Sequence, residues 1–401
     1  MASRVDILLV FLVCFLLLSH GEAESTSELS RKLEELQFEQ QLTNLKKSAI
    51  KSIHEGKDIY DCIDFYKQPG FNHPFWKNTT LEMKHRLFIE VMKTKVNLPL
   101  GIGLKDGGCP YGTVPIMRID EDDLARAKMN SKIYLSNTNE EPGHHYAILR
   151  TKPDPTRKIN GIQASFDAVN TKGVDGSQYS SFRMMLSNGP DSIKTGLTVN
   201  PALFKDNKTR LFTHVVMDGR TQCFNQQCPA YIQLNSQIPL GWPVDNTSTI
   251  GGDQYAVKLQ VIKEYISTGP NSKQFVWTLR FELENTILGF WPTTIFSRLS
   301  EFGNQVDWGG EVYSPLDLPS PAMGTGIPPR KNKVDTAYST FSWFVAVSYQ
   351  DSQSIIFESP SNTEVYESDP EAYNIVDVGN VDKFYGYLIV YDGPGGIIKS
   401  H

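Results

Sequence analysis

The 401-residue sequence has no excess of positive charge. Its 39 lysines and arginines stand against 45 aspartates and glutamates, a formal charge of −6. That balance argues against nucleic acid or an acidic membrane surface as the main partner. Common catalytic signatures are missing as well: there is no HExxH, no GxSxG and no Walker loop. The glycines of "NLPLGIGLKDGGCPYGTVPIMR" neither follow a strand nor open a helix, so they make no phosphate loop. Cysteine is scarce, at five residues, and Cys223 and Cys228 have no second Cys or His pair at zinc spacing. His144 and His145 of "GHHYA" point to opposite sides of a strand and are poorly placed to share one metal. The expectation is no metal and no cofactor.

Long hydrophobic runs are absent too. The apolar segment "ILLVFLVCFLLL", Ile7 to Leu18, falls short of the roughly 20 residues that span a bilayer. Arg4 precedes it, and the small residues Gly21 and Ala23 follow. It reads as a secretory signal peptide over 1–23, with an uncleaved anchor as the alternative. The expected location is secreted and extracellular, with no membrane contact after signal cleavage.

Export changes how the cysteines read. Cys14 leaves with the signal, and Cys62, Cys109, Cys223 and Cys228 remain. An even number in an exported chain favours two disulfides, with three possible connectivities. The most economical is Cys62–Cys109 with Cys223–Cys228, because each bridge then stays within one region. Sequons at Asn78, Asn207 and Asn246 fit a glycosylated surface.

Two textures follow the signal. From Ser27 to Ile53, apolar residues recur at three- and four-residue steps through Leu29, Leu33, Leu36, Leu42, Leu45, Ala49 and Ile53, which predicts an amphipathic helix. A second, shorter helical pattern surrounds Leu81 to Val96. The charged stretch "RIDEDDLARAKMN" marks a boundary near residues 118–130. Beyond it, short alternating segments such as "QYSSFRMML", "SIKTGLTV" and "FVWTLRFEL" are separated by turn signals. This predicts an all-β fold, an antiparallel β-sandwich or barrel, preceded by a small, mainly helical region. The Pro/Gly-rich stretch from Ser314 to Lys333 is a long loop of the kind that often serves function. The helical region is either a removable propeptide or a permanent accessory domain.

Glu311 is the most suggestive single residue, because it follows Gly309 and Gly310 in an otherwise strand-like stretch. Glycine inside a strand often marks the approach of another backbone or of a ligand. A substrate strand over Glu311 is one reading, and an exposed strand carboxylate is the other.

Several long motifs carry a resemblance. "DIYDCIDFYKQPGFNHP" and "GCPYGTVPI" resemble the neprosin activation peptide. "GHHYAIL", "GLTVNPALFKDNKTRLFT", "CFNQQCPAYIQ", "IPLG", "ILGFWP", "WGGEVYS", "MGTGIPP" and "YDGPGG" resemble the neprosin catalytic domain, in family order. The resemblance implies a signal over 1–23, an activation peptide over 24–126 and a β-sandwich catalytic-type domain over 127–401. It implies a secreted plant protein made as a zymogen: a glutamic peptidase that cuts proline-rich substrates after proline, at acid pH. It also implies that Glu311 is one of two catalytic carboxylates on facing strands.

Two carboxyls at close range cannot both ionise cheaply, so such a pair holds one proton and supplies both a base and an acid. The family's other glutamate stands two residues before the glycine of "GLTVNP", and here that position is Lys194. A lysine there favours an ionised Glu311 and a salt bridge with no shared proton. Substitute acids are poorly placed. Asp191 is an odd number of residues from Lys194, Glu284 reads as a surface or structural group, and Asp307 lies about 13 Å from Glu311 along the strand. Ala372 stands near "YNI" where the family often has cysteine, so a C-terminal disulfide is not expected. Two functions stay open: a proline-directed endopeptidase, or a catalytically silent paralogue that binds peptides or an extracellular polymer.

Overall fold

The computed structural model describes residues 48–73, 76, 102–120, 122–123, 126, 142–269, 272–281, 286–330, 335–350 and 355–398. The chain divides into 1–48 and 49–401, and all that follows concerns the second unit. The signal segment, Asn78, Glu284, most of the first helical pattern and all of the second lie outside the described residues.

The leader's described part is a sheet. β1 (Lys51–Glu55), β2 (Asp58–Asp64) and β3 (Thr113–Met117) pair antiparallel in that order. This corrects the predicted helix at its end, where Ile53 lies in β1 opposite Tyr60. Long-range contacts override the helical repeat there. Ile53 is buried with Tyr60, Leu104 and the disulfide Cys62–Cys109, whose S–S distance is 2.05 Å.

Fifteen further strands follow, and they build two sheets. They are β4 (His144–Thr151), β5 (Ile159–Asp167), β6 (Tyr179–Asn188), β7 (Asp191–Val199), β8 (Thr209–Met217), β9 (Thr221–Phe224), β10 (Ile232–Gln233), β11 (Ala256–Gly269), β12 (Ser272–Phe281), β13 (Thr286–Pro292), β14 (Gln305–Tyr313), β15 (Phe341–Tyr349), β16 (Thr363–Glu367), β17 (Asn374–Asn380) and β18 (Tyr387–Asp392). The front sheet runs β16-β4-β14-β6-β7-β8-β9, and the back sheet β10-β13-β12-β11-β5-β15-β18-β17. All named pairings are antiparallel, as the alternating sequence texture predicts. One short helix, α1 (Pro201–Phe204), follows β7, and the Asn200 side chain caps it by accepting from the Leu203 N–H.

Period-two alternation sorts the side chains. Phe182, Met184 and Leu186 of β6, Val306, Trp308 and Val312 of β14, and Ile193 and Leu197 of β7 point inward to the core. There they meet Ile162, Ala164 and Phe166 of β5. The intervening residues of the front strands therefore share the outer face.

The leader is fastened to the domain at β8, at β10 and at Gly241. The Gln68 side chain donates to the Gln233 carbonyl and accepts from the Gln233 N–H. Tyr60 donates to the Gly241 carbonyl, and Arg210 donates to Asp58 and Asp206 at 2.6 Å each. Cys223 and Cys228 form the second disulfide.

The long loop from Ser314 is held firmly to the domain. Asp392 accepts from the N–H groups of Thr325, Gly326 and Thr340, and Met323 packs beneath Gly310. Nearby, Asp167 accepts a hydrogen bond from Ser248. Burial pushes the Asp167 carboxyl up to about 7, with the charge of Asp392 adding to the effect and the Ser248 bond opposing it. The unfolded value is near 3.8, so the native fold binds this proton more tightly. Asp167's contribution is full below about pH 4 and drains as pH rises towards 7, with a slope of up to about 1.4 kcal/mol per pH unit. Thermal unfolding should show the native protein losing stability between pH 4.5 and 7. Asp167→Asn should flatten that loss, and an unchanged slope would refute this source for it.

Candidate functional site

Parity places Glu311 on the outer face of β14, since Val312 and Trp308 point inward. The same rule puts Lys194 of β7, Tyr179 and Arg183 of β6, and His144 of β4 on that face. The register then brings them together. β6 lies between β14 and β7, with Ser181 opposite Glu311 and Met185 opposite Lys194. The two key strands therefore do not face each other, as the resemblance implied. They lie in one sheet with β6 between them, and their side chains meet above it.

The Lys194 ammonium donates to both Glu311 oxygens, at 2.9 Å to Oε1 and 2.8 Å to Oε2. Tyr179 donates to Oε1 at 2.5 Å, and Arg183 Nε donates to Oε2 at 2.8 Å. His144 Nδ1 stands 3.8 Å from Oε1 and 3.2 Å from the Tyr179 hydroxyl. Arg183 also pairs with Asp307, so one guanidinium spans the two carboxylates of β14. Glu311 is 1% exposed and Lys194 4%, which overturns the reading of Glu311 as an exposed strand carboxylate.

The electrostatics follow from that list of donors. Burial alone would push the Glu311 carboxyl up. The Lys194 ammonium and the Arg183 guanidinium overturn this and, with His144, hold it well below the usual carboxylate range. His214 sits opposite Lys194 on β8, and burial together with the lysine charge pushes its imidazole down to about 3. It is therefore neutral at ordinary pH. Among the described residues every partner of Glu311 is a donor, and no second carboxyl shares its proton.

The spare acids are committed elsewhere. Asp191 is buried and accepts from the N–H groups of Asp218, Arg298 and Leu299 and from the Ser297 hydroxyl. Asp307 is taken by Arg183. The glycine pair also has a structural reason. Gly309 has φ +138°, and a Cβ there would lie 2.3 Å from the Ala147 carbonyl oxygen of β4. A Cβ on Gly310 would strike Met323. The groups that approach both glycines closely are the domain's own. Among the described residues, no group of three His, Cys, Asp or Glu side chains could hold a metal. Of the sequons, Asn246 is exposed, and Asn207 is exposed with its amide donating to the Val174 carbonyl.

The profile of the family described as Neprosin matches residues 176–394, more than half of the chain. The chain belongs to the neprosin family. The profile described as Neprosin activation peptide matches residues 49–150, in the order expected of the family. Among solved structures, a Scytalido-glutamic peptidase with a peptide-based transition state analog is 10% identical, over 63% of this chain and 98% of that one, with a TM-score of 0.33. SCP-B, a member of the eqolisin family of peptidases in complex with the tripeptide Ala-Ile-His, is 9% identical over the same shares, with a TM-score of 0.32.

The sequence alone does not single out Arg183 or Tyr179, and it offers His144 only as a candidate metal ligand. Parity in "QYSSFRMML" could have put Tyr179 and Arg183 on the polar face. Nothing local could have placed β6 between β7 and β14.

Proposed function

We propose that this neprosin-family protein is a catalytically silent member that keeps a peptide-binding cleft on its front sheet. Family membership makes it a peptidase-type protein. Hydrolysis in that family rests on two carboxyls sharing a proton, one taking the proton of the attacking water and one protonating the leaving amine. The observation that carries the proposal is the Lys194 ammonium on both Glu311 oxygens. An ionised carboxylate locked to lysine and arginine has no proton to give, and its basicity is lowered by the same charges. A lysine ammonium is a poor acid at low pH, since its ordinary value is near 10.4. The expected partner is a secreted, proline-rich peptide or protein segment, bound and released intact.

The test incubates the native protein with a pool of proline-containing peptides across pH 3 to 7, after acid treatment, and reads products by mass spectrometry. The expected result is no cleavage above that of Glu311→Gln, with peptides still retained on the immobilised protein. Robust cleavage that disappears in Glu311→Gln would establish a working proline-directed endopeptidase instead.

A further inference from the structure

Strand β11 outruns its neighbour in the back sheet. β5 pairs with it only from Ala256 to Ile262, and β13 pairs with β12 only from Val276 onward. Beyond those points, among the described residues, β11 and β12 pair only with each other and form a two-stranded arm. Such a ribbon is marginal in water and gains nothing from bare rings on its surface. This arm nevertheless sets Tyr265 directly opposite Phe275, at 56% and 55% exposure.

Each ring carries a lysine. Lys273 Nζ lies 4.1 Å from the Tyr265 centroid, and Lys263 Nζ lies 5.0 Å from that of Phe275. Lys263 also donates to the Glu301 carbonyl, and the next residue, Phe302, has Lys158 Nζ 5.7 Å above its ring. Three ammonium groups and three rings thus alternate along one flank; of the nearby described acids, Glu264 is paired with Arg280 and Glu301 lends its carbonyl to Lys263. On a chain of net charge −6 this is a local reversal of sign.

We propose that this band binds a linear acidic polysaccharide, with sugar rings stacked on Tyr265 and Phe275 and sugar carboxylates on the lysines. Charge complementarity selects a polyanion. Extent selects a polymer: Lys273 pairs with Ser267, so the backbones of Lys263 and Lys273 stand four residues apart along β11, their ammonium groups converge on the Tyr265–Phe275 pair, and Lys158 with Phe302 carries the band further. A small anion meets one end of this band, whereas a chain of repeated carboxylates can follow it from the Tyr265–Phe275 pair to Lys158. Lys273 is exposed and its cation–π contact is weak, so its ammonium turns to a carboxylate at little cost, while Lys263, half-buried on the Glu301 carbonyl, offers its remaining hydrogens in place. A second copy of this chain is the poorer occupant, because a two-fold pairing through the arm would set lysines against lysines. The band lies on the back sheet and Glu311 on the front one, so polymer binding is independent of events at Glu311.

Affinity electrophoresis of the full chain in gels containing polygalacturonate tests this. Dextran, dextran sulfate and phosphatidylcholine vesicles with added phosphatidylserine serve as comparators. The native protein should be retarded by polygalacturonate and not by dextran, with retardation falling as salt rises. The double variant Lys263→Gln, Lys273→Gln should lose about tenfold or more in affinity. Tyr265→Ser with Phe275→Ser should lose a comparable factor with no change in charge, and both variants should melt as the native protein does. Absence of retardation, equal binding by the ring variant, stronger binding to dextran sulfate or vesicles, or self-association through the arm would each overturn the proposal.

Discussion

Lys194→Glu is expected to convert a protein that does not cut peptides into one that does. The new carboxyl would stand where the ammonium now lies, within a few ångströms of Glu311. Tyr179 and Arg183 would still hold Glu311, keeping it the more acidic of the two. The shared proton would therefore reside on residue 194. Glu311 could then take a proton from the attacking water while residue 194 protonates the departing amine as the C–N bond breaks. Positioned proton transfer of this kind contributes about 10²–10⁴-fold to rate. The activity should peak at acid pH, between the two values at which the pair titrates as a unit. Lys194→Gln should stay inactive, since it removes the charge without adding an acid. The double variant Lys194→Glu, Glu311→Gln should also be inactive. Mass-spectrometric analysis of a digested peptide pool reads all four proteins. Native cleavage at the rate of Lys194→Glu would end the account of Lys194 as the cause of silence.

Glu311→Ala should be the costliest single change on the front sheet. It removes the carboxylate that the Lys194 ammonium and the Arg183 guanidinium share, in a site where both side chains are almost wholly buried. Breaking a buried pair from one side costs about 3–5 kcal/mol. Lys194→Met should cost at most half as much, because Glu311 keeps Arg183 and Tyr179 and the methionine stem fills the space. The pH dependence carries a definite sign. Glu311 is held below its unfolded value, so its contribution is present above about pH 4.5 and is lost only as pH falls through the lower folded value. Denaturant unfolding at pH 5 and 7 should give the same large deficit for Glu311→Ala at both. A variant as stable as the native protein would show that the cluster is a neutral exchange of solvation for charge.

Much of the site is legible as parity. "QVDWGGEVY" cannot turn Val306, Trp308 and Val312 inward without turning Asp307 and Glu311 outward, and "SIKTGLTV" treats Lys194 the same way. Parity is local, however, while the order of strands is not. The insertion of β6 between the two key strands comes from the packing of the whole sheet, and Arg183 and Tyr179 came with it. The Asp307 expectation shows the limit well. Its distance along the strand from Glu311 was readable, but the guanidinium that bridges the two belongs to another strand. Ile53 shows the opposite failure. Its helical repeat is real, but a neighbouring strand and a disulfide 47 residues long in sequence outweigh a local preference.

β4 supplies Tyr146, the register partner of Glu311, and is clasped between β16 and β14. Yet the activation-peptide match extends through residue 150, into this very strand. If the leader is a removable propeptide rather than a permanent accessory domain, its removal has a narrow margin for error. Scission ahead of His144 would leave all seven front strands in place, whereas scission past Thr151 would withdraw one of them and unzip the wall on which Glu311 stands.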